Sequence, residues 1–266
     1  MIGPGERLEV VADEGSDDGL GCIVAYLPGM ARPGRDAFGV IERVGRGRHL
    51  ALERASVREA LTSPATLTAQ VEALDDVLAT HAPDAPAIVV AHSYAGLSAI
   101  AWAARRPDRC RALLLLDTSI PTARAPLTPL RWRWGIAHSA ARATRARTTS
   151  EAAWRWAGAI EENASYAEVS REAHDEVRDP LRAPTVVVTA RPLIAGPFAR
   201  SWISTQEALA GRLGALHTMV WPSGHLIPTR RPGDIAALIR AAQGGPADTQ
   251  RGTPRLGGLP KTGRTP

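Results

Sequence analysis

A serine and a histidine side chain can act together in catalysis, and this chain contains both residue types in a suggestive pattern. A serine hydroxyl becomes a strong nucleophile when a base takes its proton, and imidazole is the base suited to neutral pH. Ser93 follows an apolar run, 87–91, and precedes an alanine-rich segment of helical character. This pattern predicts a strand, a sharp turn and a helix, with the Ser93 hydroxyl exposed and the first helix amides pointing at whatever lies above it.

The residues around Ser93 are small enough for a tight crossing from strand to helix. Ala91 and Ala95 stand two positions before and after it, and Gly96 follows. Here the chain resembles the α/β-hydrolase family, whose nucleophile elbow is written G-x-S-x-G, although both glycines of that motif are alanines in this sequence. For this segment taken alone, an ordinary serine in a βα loop remains the alternative.

A second part of the resemblance is the loop after the last predicted strand. Residues 222–228 contain Gly224-His225, and a helix with Pro232 in its first turn follows. In the family this loop carries the catalytic histidine, so the resemblance implies that His225 is the base for Ser93. We interpret five other histidines as structural: His49, His81, His138, His174 and His217.

The acid of a Ser-Asp-His triad is harder to place. The family usually carries it in the loop after the next-to-last strand, but 191–197 has no carboxylate here, and Glu207 lies inside the following helix. Asp117 lies at the carboxyl end of a predicted buried strand, where open α/β sheets form their sites. Some members of the family carry the acid after this strand. Asp117 is therefore the predicted acid. A loop-supporting role for Asp117, a lid acid such as Glu161 or Glu162, and no acid at all remain open.

Met30 and Tyr94 are the predicted oxyanion-hole donors. In the family the strand corresponding to 22–27 ends in His-Gly, and the next backbone N–H forms half of the oxyanion hole. Here Pro28 replaces the histidine and Gly29 is kept. The resemblance therefore implies that the Met30 N–H pairs with the Tyr94 N–H. A plain turn is the alternative at this loop.

The order of strand and helix patterns predicts an α/β class, with the α/β-hydrolase fold: a mostly parallel sheet flanked by helices. The predicted strands are 7–12, 22–27, 48–52, 87–91, 111–117, 184–190 and 216–221. Asp13 to Gly21 is a predicted turn, and Ser63-Pro64 opens a predicted amphipathic helix. We expect one domain over 1–243, with a helical lid inserted at about 120–182. The tail, 244–266, is rich in Gly, Pro, Thr and Arg and predicted to be disordered.

The predicted lid has an uneven charge distribution. Residues 121–150 carry six arginines and no acid, whereas 151–180 carry eight acids and three arginines. We interpret the two halves as helical faces that pair with each other or are solvated, rather than as a clamp for an anionic substrate. The lid tryptophans are expected to pack, with one or two of them along an apolar pocket.

Composition limits the classes of function. The chain has 266 residues, 44% of them hydrophobic, and a net charge of +5. Nearly all of its positive charge comes from arginine, because Lys261 is the only lysine. No basic run interleaved with stacking aromatics is present, so we do not expect nucleic-acid binding. Cys22 and Cys110 show no metal or redox spacing and are expected in the core. No apolar stretch is long enough for a bilayer and no signal peptide is recognisable, so the expectation is a soluble cytoplasmic protein.

The function that these patterns predict is serine hydrolysis of a small ester, thioester or lactone through an acyl-enzyme. The expected substrate is a small molecule with an apolar acyl or aromatic group, with no membrane partner. No metal-ligand cluster or phosphate-binding loop is recognisable, so no cofactor or metal is expected. Two alternatives remain: a lyase or cyclase on the same scaffold, in which His225 moves protons, and a catalytically weak ligand-binding protein. The sequence predicts neither the substrate nor the oligomeric state.

Overall fold

The computed structural model describes residues 8–16, 19–59, 61, 65–123, 128–177, 179–191 and 197–244. Seven strands form one sheet in the order β1-β3-β2-β4-β5-β6-β7. Their bounds are β1 Leu8–Glu14, β2 Ile23–Leu27, β3 Arg48–Arg54, β4 Ala87–His92, β5 Cys110–Leu116, β6 Thr185–Ala190 and β7 Leu216–Val220. Strands β2 to β7 are parallel and only the edge strand β1 is antiparallel, which confirms the predicted α/β class. The predicted tail after Gly244 and the predicted helix opening at Ser63-Pro64 lie outside the described residues.

Eight α-helices are found among the described residues. They are α1 Phe38–Val44, α2 Leu67–His81, α3 Ala95–Arg105, α4 Thr128–Arg145, α5 Glu151–Glu176, α6 Pro197–Leu213, α7 Ile227–Arg230 and α8 Pro232–Gln243. Helix α2 begins where the Thr66 hydroxyl accepts a hydrogen bond from the Ala69 N–H at 3.2 Å, which satisfies one amide of the first turn. Helix α1 ends at Gly45, whose φ of 68° closes the helix in the left-handed region.

The sheet is covered on both faces, so its central strands are apolar on both sides. On β4, Val89 and Ala91 belong to the core cluster shared with α2, α3 and the second half of α5. Ile88 and Val90 belong to the cluster on the opposite face, which is shared with α1 and α8. All six residues of β4 are buried. This double burial accounts for the continuous apolar run that identified the strand.

Strands β1 and β3, at one side of the sheet, are longer than predicted. Strand β1 continues to Glu14, inside the predicted turn, and β3 continues to Arg54. The two strands pair antiparallel over this whole stretch, with Leu8 opposite Arg54 and Glu14 opposite His49. Backbone hydrogen bonds between strands do not require apolar side chains. For this reason hydropathy alone predicted ends for both strands that come too early.

The segment between β5 and β6 contains α4 and α5, which pack against each other. Arg145 of α4 forms a buried ion pair of 3.3 Å with Glu161 of α5, so the predicted pairing between the two oppositely charged halves is confirmed at this point. The second half of α5 is part of the main core, where Val169 and Ala173 are fully buried. The insertion is therefore continuous with the helical layer of the sheet.

Other expectations concern membranes, metals and thiols. Within the described parts of the chain, no helix is both long and apolar enough to cross a bilayer. The same residues contain no group of three or more His, Cys, Asp or Glu side chains arranged to hold a metal ion. Cys22 and Cys110 are free and buried, as predicted, and burial raises the pKa of the Cys110 thiol to about 12. Both cysteines are therefore core residues.

A glycine in α3 gives a first prediction, on stability. A Cβ on Gly96 would lie 2.7 Å from the Thr118 Cβ and would overlap the Thr118 hydroxyl, which is completely buried. We expect Gly96→Ala to lower the free energy of unfolding by about 1–3 kcal/mol or more, because the overlap forces α3 away from the sheet. Urea unfolding followed by circular dichroism measures this.

The matched control is Gly211→Ala in α6, where a new Cβ would meet nothing within 4 Å. There the replacement should raise the free energy of unfolding by roughly 0.5–1 kcal/mol, since alanine loses less backbone entropy in a helix. Equal stability of the two variants would contradict close packing at Gly96.

Candidate active site

The predicted site residues all follow the carboxyl ends of parallel strands. Met30 lies in the loop after β2, Ser93 after β4, Asp117 after β5 and His225 after β7. Strand β4 lies between β2 and β5 in the sheet. Because the carboxyl ends of parallel strands share one edge of the sheet, the fold brings these loops together at a position where open α/β sheets hold their sites.

Three side chains form one continuous chain of hydrogen bonds at this edge. The distance from Ser93 Oγ to His225 Nε2 is 2.9 Å, and that from His225 Nδ1 to Asp117 Oδ2 is 2.7 Å. With a neutral imidazole, Nδ1–H donates to the carboxylate and Nε2 accepts from the serine hydroxyl. The His225 side chain is 51% exposed and that of Asp117 only 5%. The arrangement can therefore pass a proton from a reachable hydroxyl to an imidazole that a buried carboxylate orients.

Ser93 is held in a backbone conformation that a side chain makes costly. Its φ is 54°, in the left-handed region. Its carbonyl oxygen accepts hydrogen bonds from the Gly96 N–H at 3.1 Å, the Ser119 N–H at 3.0 Å and the Thr118 hydroxyl at 3.1 Å. The Ser93 N–H donates to the Leu116 carbonyl at 3.0 Å. These bonds fix the sharp turn at which the hydroxyl is presented.

Asp117 is held through both of its oxygens and through its backbone. While Oδ2 faces His225, Oδ1 accepts hydrogen bonds from the Ala190 N–H at 3.1 Å and the Trp202 indole N–H at 2.8 Å. The Asp117 N–H donates to the Val188 carbonyl at 2.7 Å, and its φ of 45° is again left-handed. Such donors fix the orientation of the carboxylate and so the oxygen that meets the imidazole.

The loop after β2 lies directly against the elbow. A Cβ on Gly29 would come within 2.9 Å of both the Ser93 Cβ and the His92 Nδ1, so only glycine fits at this close approach. The Gly29 carbonyl accepts from the Arg32 N–H at 3.0 Å, which closes a tight turn. The turn thus lies beside the serine, as the oxyanion-loop prediction requires.

The two predicted oxyanion donors lie in the turn after β2 and at the start of α3. Met30 is the first central residue of the turn that begins at Gly29, and its side chain packs against the main core cluster. Tyr94 has helical backbone angles, φ −55° and ψ −40°, at the N-terminal end of α3, and its side chain is buried. Backbone amides at a helix N-terminus favour negative charge.

Strained backbone conformations concentrate at this site. Among the described residues, the non-glycine residues with positive φ are Ala31, Ser93 and Asp117. Each costs of order 1–3 kcal/mol and persists only where the surroundings determine it. One residue lies in the turn after β2, one at the elbow and one after β5. The strained residues therefore lie in three loops at the carboxyl ends of the strands around Ser93.

Comparisons with known proteins follow this geometry. No protein-family model matches the chain. Solved structures at 15% identity include a variant of AqdC, described as cleaving the ring of the Pseudomonas quinolone signal, and the thioesterase domain from the curacin biosynthetic pathway. Each has a TM-score of 0.60; the AqdC match covers 90% of this chain and 99% of that chain, and the thioesterase match 89% and 99%. A third structure, an esterase from Thermogutta terrifontis, covers 88% of this chain and 91% of its own with a TM-score of 0.57.

This chain has the α/β-hydrolase fold. Among curated proteins, Lipase LipV of Mycobacterium tuberculosis is 28% identical over 213 residues, which is 70% of this chain and 79% of LipV. The strand order and the mostly parallel sheet agree with the α/β-hydrolase topology that the elbow and the Gly224-His225 loop predicted. The fold prediction is confirmed.

Other acids considered from the sequence contact different partners. Glu162 accepts from Arg54 at 2.7 Å and Glu161 from the Leu61 N–H at 3.1 Å. Glu207 lies 4.0 Å from His217 of β7. None of these carboxylates bonds to His225 in the described structure. Among the described acids, Asp117 alone has a hydrogen bond to His225.

Two side chains that contact this site were not predicted from the sequence. His92, next to the nucleophile, has Nε2 2.7 Å from the His225 carbonyl oxygen. Trp202 on α6 donates to Asp117. A histidine adjacent to the serine was a visible signal. No sequence signal identifies Trp202, because its contact depends on how α6 crosses the end of β6.

Trp202 gives a prediction that needs no substrate. Trp202→Phe keeps most of the packing and removes one donor to a buried carboxylate, so the free energy of unfolding should fall by about 1.5–3 kcal/mol at neutral pH. Guanidinium unfolding measures the change. The control is Trp156→Phe in α5, whose side chain is 67% exposed and which should change stability by no more than about 0.5 kcal/mol. A loss no larger than that of the control would show that the indole donor does not stabilise Asp117.

Proposed function

We propose that this protein is a serine hydrolase that cleaves a small ester, thioester or lactone through an acyl-enzyme. The observation that carries the proposal is the unbroken hydrogen-bond chain from Ser93 Oγ through His225 to Asp117. It begins at a strained elbow, which presents the hydroxyl, and ends at a carboxylate that two further donors hold. Lipase LipV among relatives, and a thioesterase and an esterase among structural neighbours, support ester cleavage.

The first step forms the acyl-enzyme. Ser93 Oγ attacks the acyl carbon while its proton passes to His225 Nε2, which already lies 2.9 Å away. The imidazole becomes positively charged, and the Asp117 carboxylate at its Nδ1 stabilises that charge and holds the tautomer. His225 then gives the proton from Nε2 to the leaving alkoxide or thiolate, and the bond from the acyl carbon to that group breaks.

Negative charge on the acyl oxygen needs donors during this step. In the proposal the Met30 and Tyr94 N–H groups supply them. The close approach of Gly29 to Ser93 supports the role of the turn after β2, because it puts that backbone next to the reacting hydroxyl. The position of Tyr94 at the N-terminal end of α3 supports its role in the same way.

The second step releases the acid. Water attacks the acyl carbon while His225 takes one of its protons, and the bond between the acyl carbon and Ser93 Oγ breaks as that oxygen regains a proton from Nε2. One water is consumed for each ester cleaved, and no cofactor enters the balance. His225 is half exposed, which gives water access to Nε2.

The substrate class in the proposal is a small molecule with an apolar acyl or aromatic group. Met30 and Ile120 belong to loops that follow β2 and β5, and both are apolar and partly buried. In the proposal the helices α4 and α5, inserted after β5, form a lid over the site. A lid of this kind would exclude water while the acyl-enzyme forms.

A second candidate is a non-hydrolytic reaction on the same residues. The AqdC variant, a structural neighbour with a TM-score of 0.60, is described as cleaving the ring of the Pseudomonas quinolone signal. In such a reaction His225 would move protons without an acyl-enzyme at Ser93. A catalytically weak ligand-binding protein would show neither turnover nor a reactive serine.

Labelling of Ser93 tests whether this serine is an activated nucleophile. We expect a fluorophosphonate probe to modify Ser93 stoichiometrically, because His225 activates the hydroxyl, and intact-mass and peptide mass spectrometry measure this. The control is Ser98→Ala, which removes a buried hydroxyl of α3 bonded to the Ala95 carbonyl, and should label like wild type. Ser93→Ala should not label. An unlabelled wild-type protein, beside a known serine hydrolase that labels, contradicts the hydrolase proposal.

The role of Asp117 has its own test. Asp117→Asn should keep the fold yet lower kcat/KM on an ester by roughly a thousandfold or more, as expected when the acid that fixes the imidazole tautomer is neutralised. Ester turnover measured beside circular dichroism separates chemistry from folding. Asp108→Asn, at a side chain 89% exposed, serves as the matched control and should turn over like wild type. A loss within about tenfold for Asp117→Asn would mean that this acid only supports its loop.

A further inference from the structure

His92 is a buried histidine that the proposed mechanism does not use. It is the last residue of β4, its side chain is buried, and it precedes Ser93 in the chain. Its Nε2 lies 2.7 Å from the backbone carbonyl oxygen of His225. The two imidazole rings are also in contact, with centroids 4.7 Å apart and planes tilted by 43°. One side chain thus touches both the backbone and the ring of the proposed base.

The protonation state of His92 is determined by its surroundings. Burial, together with the neighbouring His225, lowers the pKa of His92 to about 4. His92 is therefore neutral near neutral pH, and the single ring proton must be on Nε2 for this nitrogen to donate to a carbonyl. The opposite nitrogen, Nδ1, faces the Cα of Gly29, where there is no room for a side chain.

Apart from the bonds of the His225 ring to Ser93 and Asp117, the loop that carries His225 has few hydrogen bonds to the rest of the described structure. The His225 carbonyl also accepts from the Ile227 N–H at 3.0 Å, and the Ser223 hydroxyl donates to the Gly224 carbonyl at 2.8 Å. Both bonds are local and connect the loop to itself. The backbone bond from His92 connects it to β4, the strand that positions Ser93.

We propose that His92 is a positioning residue that holds the His225 loop in register with Ser93 through its Nε2–H hydrogen bond to the His225 carbonyl. The inference rests on the proposed function, because it gives His92 its effect through the base of that reaction. The nucleophile and its base come from strands β4 and β7, which are separated by β5 and β6 in the sheet. The bond from His92 spans that distance directly. His92 does not touch the reacting atoms in this role.

A matched pair of variants tests the hydrogen bond itself. Glutamine can place an N–H near the position of Nε2, whereas methionine has a similar length and no donor. We expect His92→Met to lower kcat on p-nitrophenyl butyrate by about 10- to 100-fold with KM changed less than about threefold, because a misplacement near 1 Å costs about a hundredfold. His92→Gln should stay within about threefold of wild type in kcat, since the donor is kept.

A second readout does not depend on activity. Hydrogen–deuterium exchange followed by mass spectrometry reports how well the 222–227 loop is held. In His92→Met the amides of this loop should exchange at least about tenfold faster than in wild type, whereas His92→Gln should match wild type. Exchange in β4 and β5 should be the same in all three proteins, which controls for a general loss of stability.

The coupling to His225 completes the test. If His92 acts through the base, the double variant His92→Met with His225→Ala should be about as slow as His225→Ala alone, since effects of residues that act as a unit do not add. Independent losses that multiply would overturn the inference. Equal behaviour of His92→Gln and His92→Met, in turnover and in exchange, would overturn it as well. If Ser93→Ala retains wild-type turnover, the proposed function fails, and the exchange comparison still decides whether His92 holds the loop.

Discussion

The hydrogen bonds to the Ser93 carbonyl oxygen are the constraint on which the arrangement of the site depends. This oxygen accepts from the Gly96 N–H of α3 and from the Thr118 hydroxyl and the Ser119 N–H of the loop after β5. The same loop supplies Asp117. These hydrogen bonds therefore fix the elbow and Asp117 relative to each other without any contribution from His225. Replacing Gly96 would separate them, because a Cβ there occupies the space of Thr118.

A buried network of charges connects the inserted helices to this elbow. Glu162 of α5 pairs with Arg54 of β3, and the Arg54 guanidinium lies 4.8 Å from the ring centre of Tyr94. The Tyr94 hydroxyl accepts from the Gln70 amide at 2.9 Å. Buried ion pairs contribute little net stability, because desolvation offsets most of their attraction. Their effect here is geometric: the network fixes α5 relative to the residue that follows the proposed nucleophile.

The fold could be predicted from the sequence because the pattern of apolar residues follows the burial of each strand and helix. The doubly buried strands β2, β4, β5 and β6 are all apolar runs, and the elbow motif lies at the end of β4. The ends of β1 and β3 were harder to predict, since these two strands pair over polar residues. The hydrogen bonds from Trp202 to Asp117 and from His92 to His225 join residues 85 and 133 positions apart. No local pattern encodes such contacts, because they depend on the angle at which helices and loops cross the sheet.

The carboxylate that contacts His225 follows β5 rather than β6, and the structure gives a physical reason. In most relatives, by the resemblance, the strand corresponding to β6 is followed by the catalytic carboxylate. In this chain β6 ends on Ala190, whose N–H donates to Asp117, and α6 supplies the Trp202 donor to the same oxygen. In this chain the loop after β5 therefore provides the carboxylate that contacts His225, and β6 and α6 provide the donors that orient it. Because β5 and β6 are neighbours in the sheet, Asp117 at the end of β5 lies beside the end of β6, and it makes the 2.7 Å contact with His225.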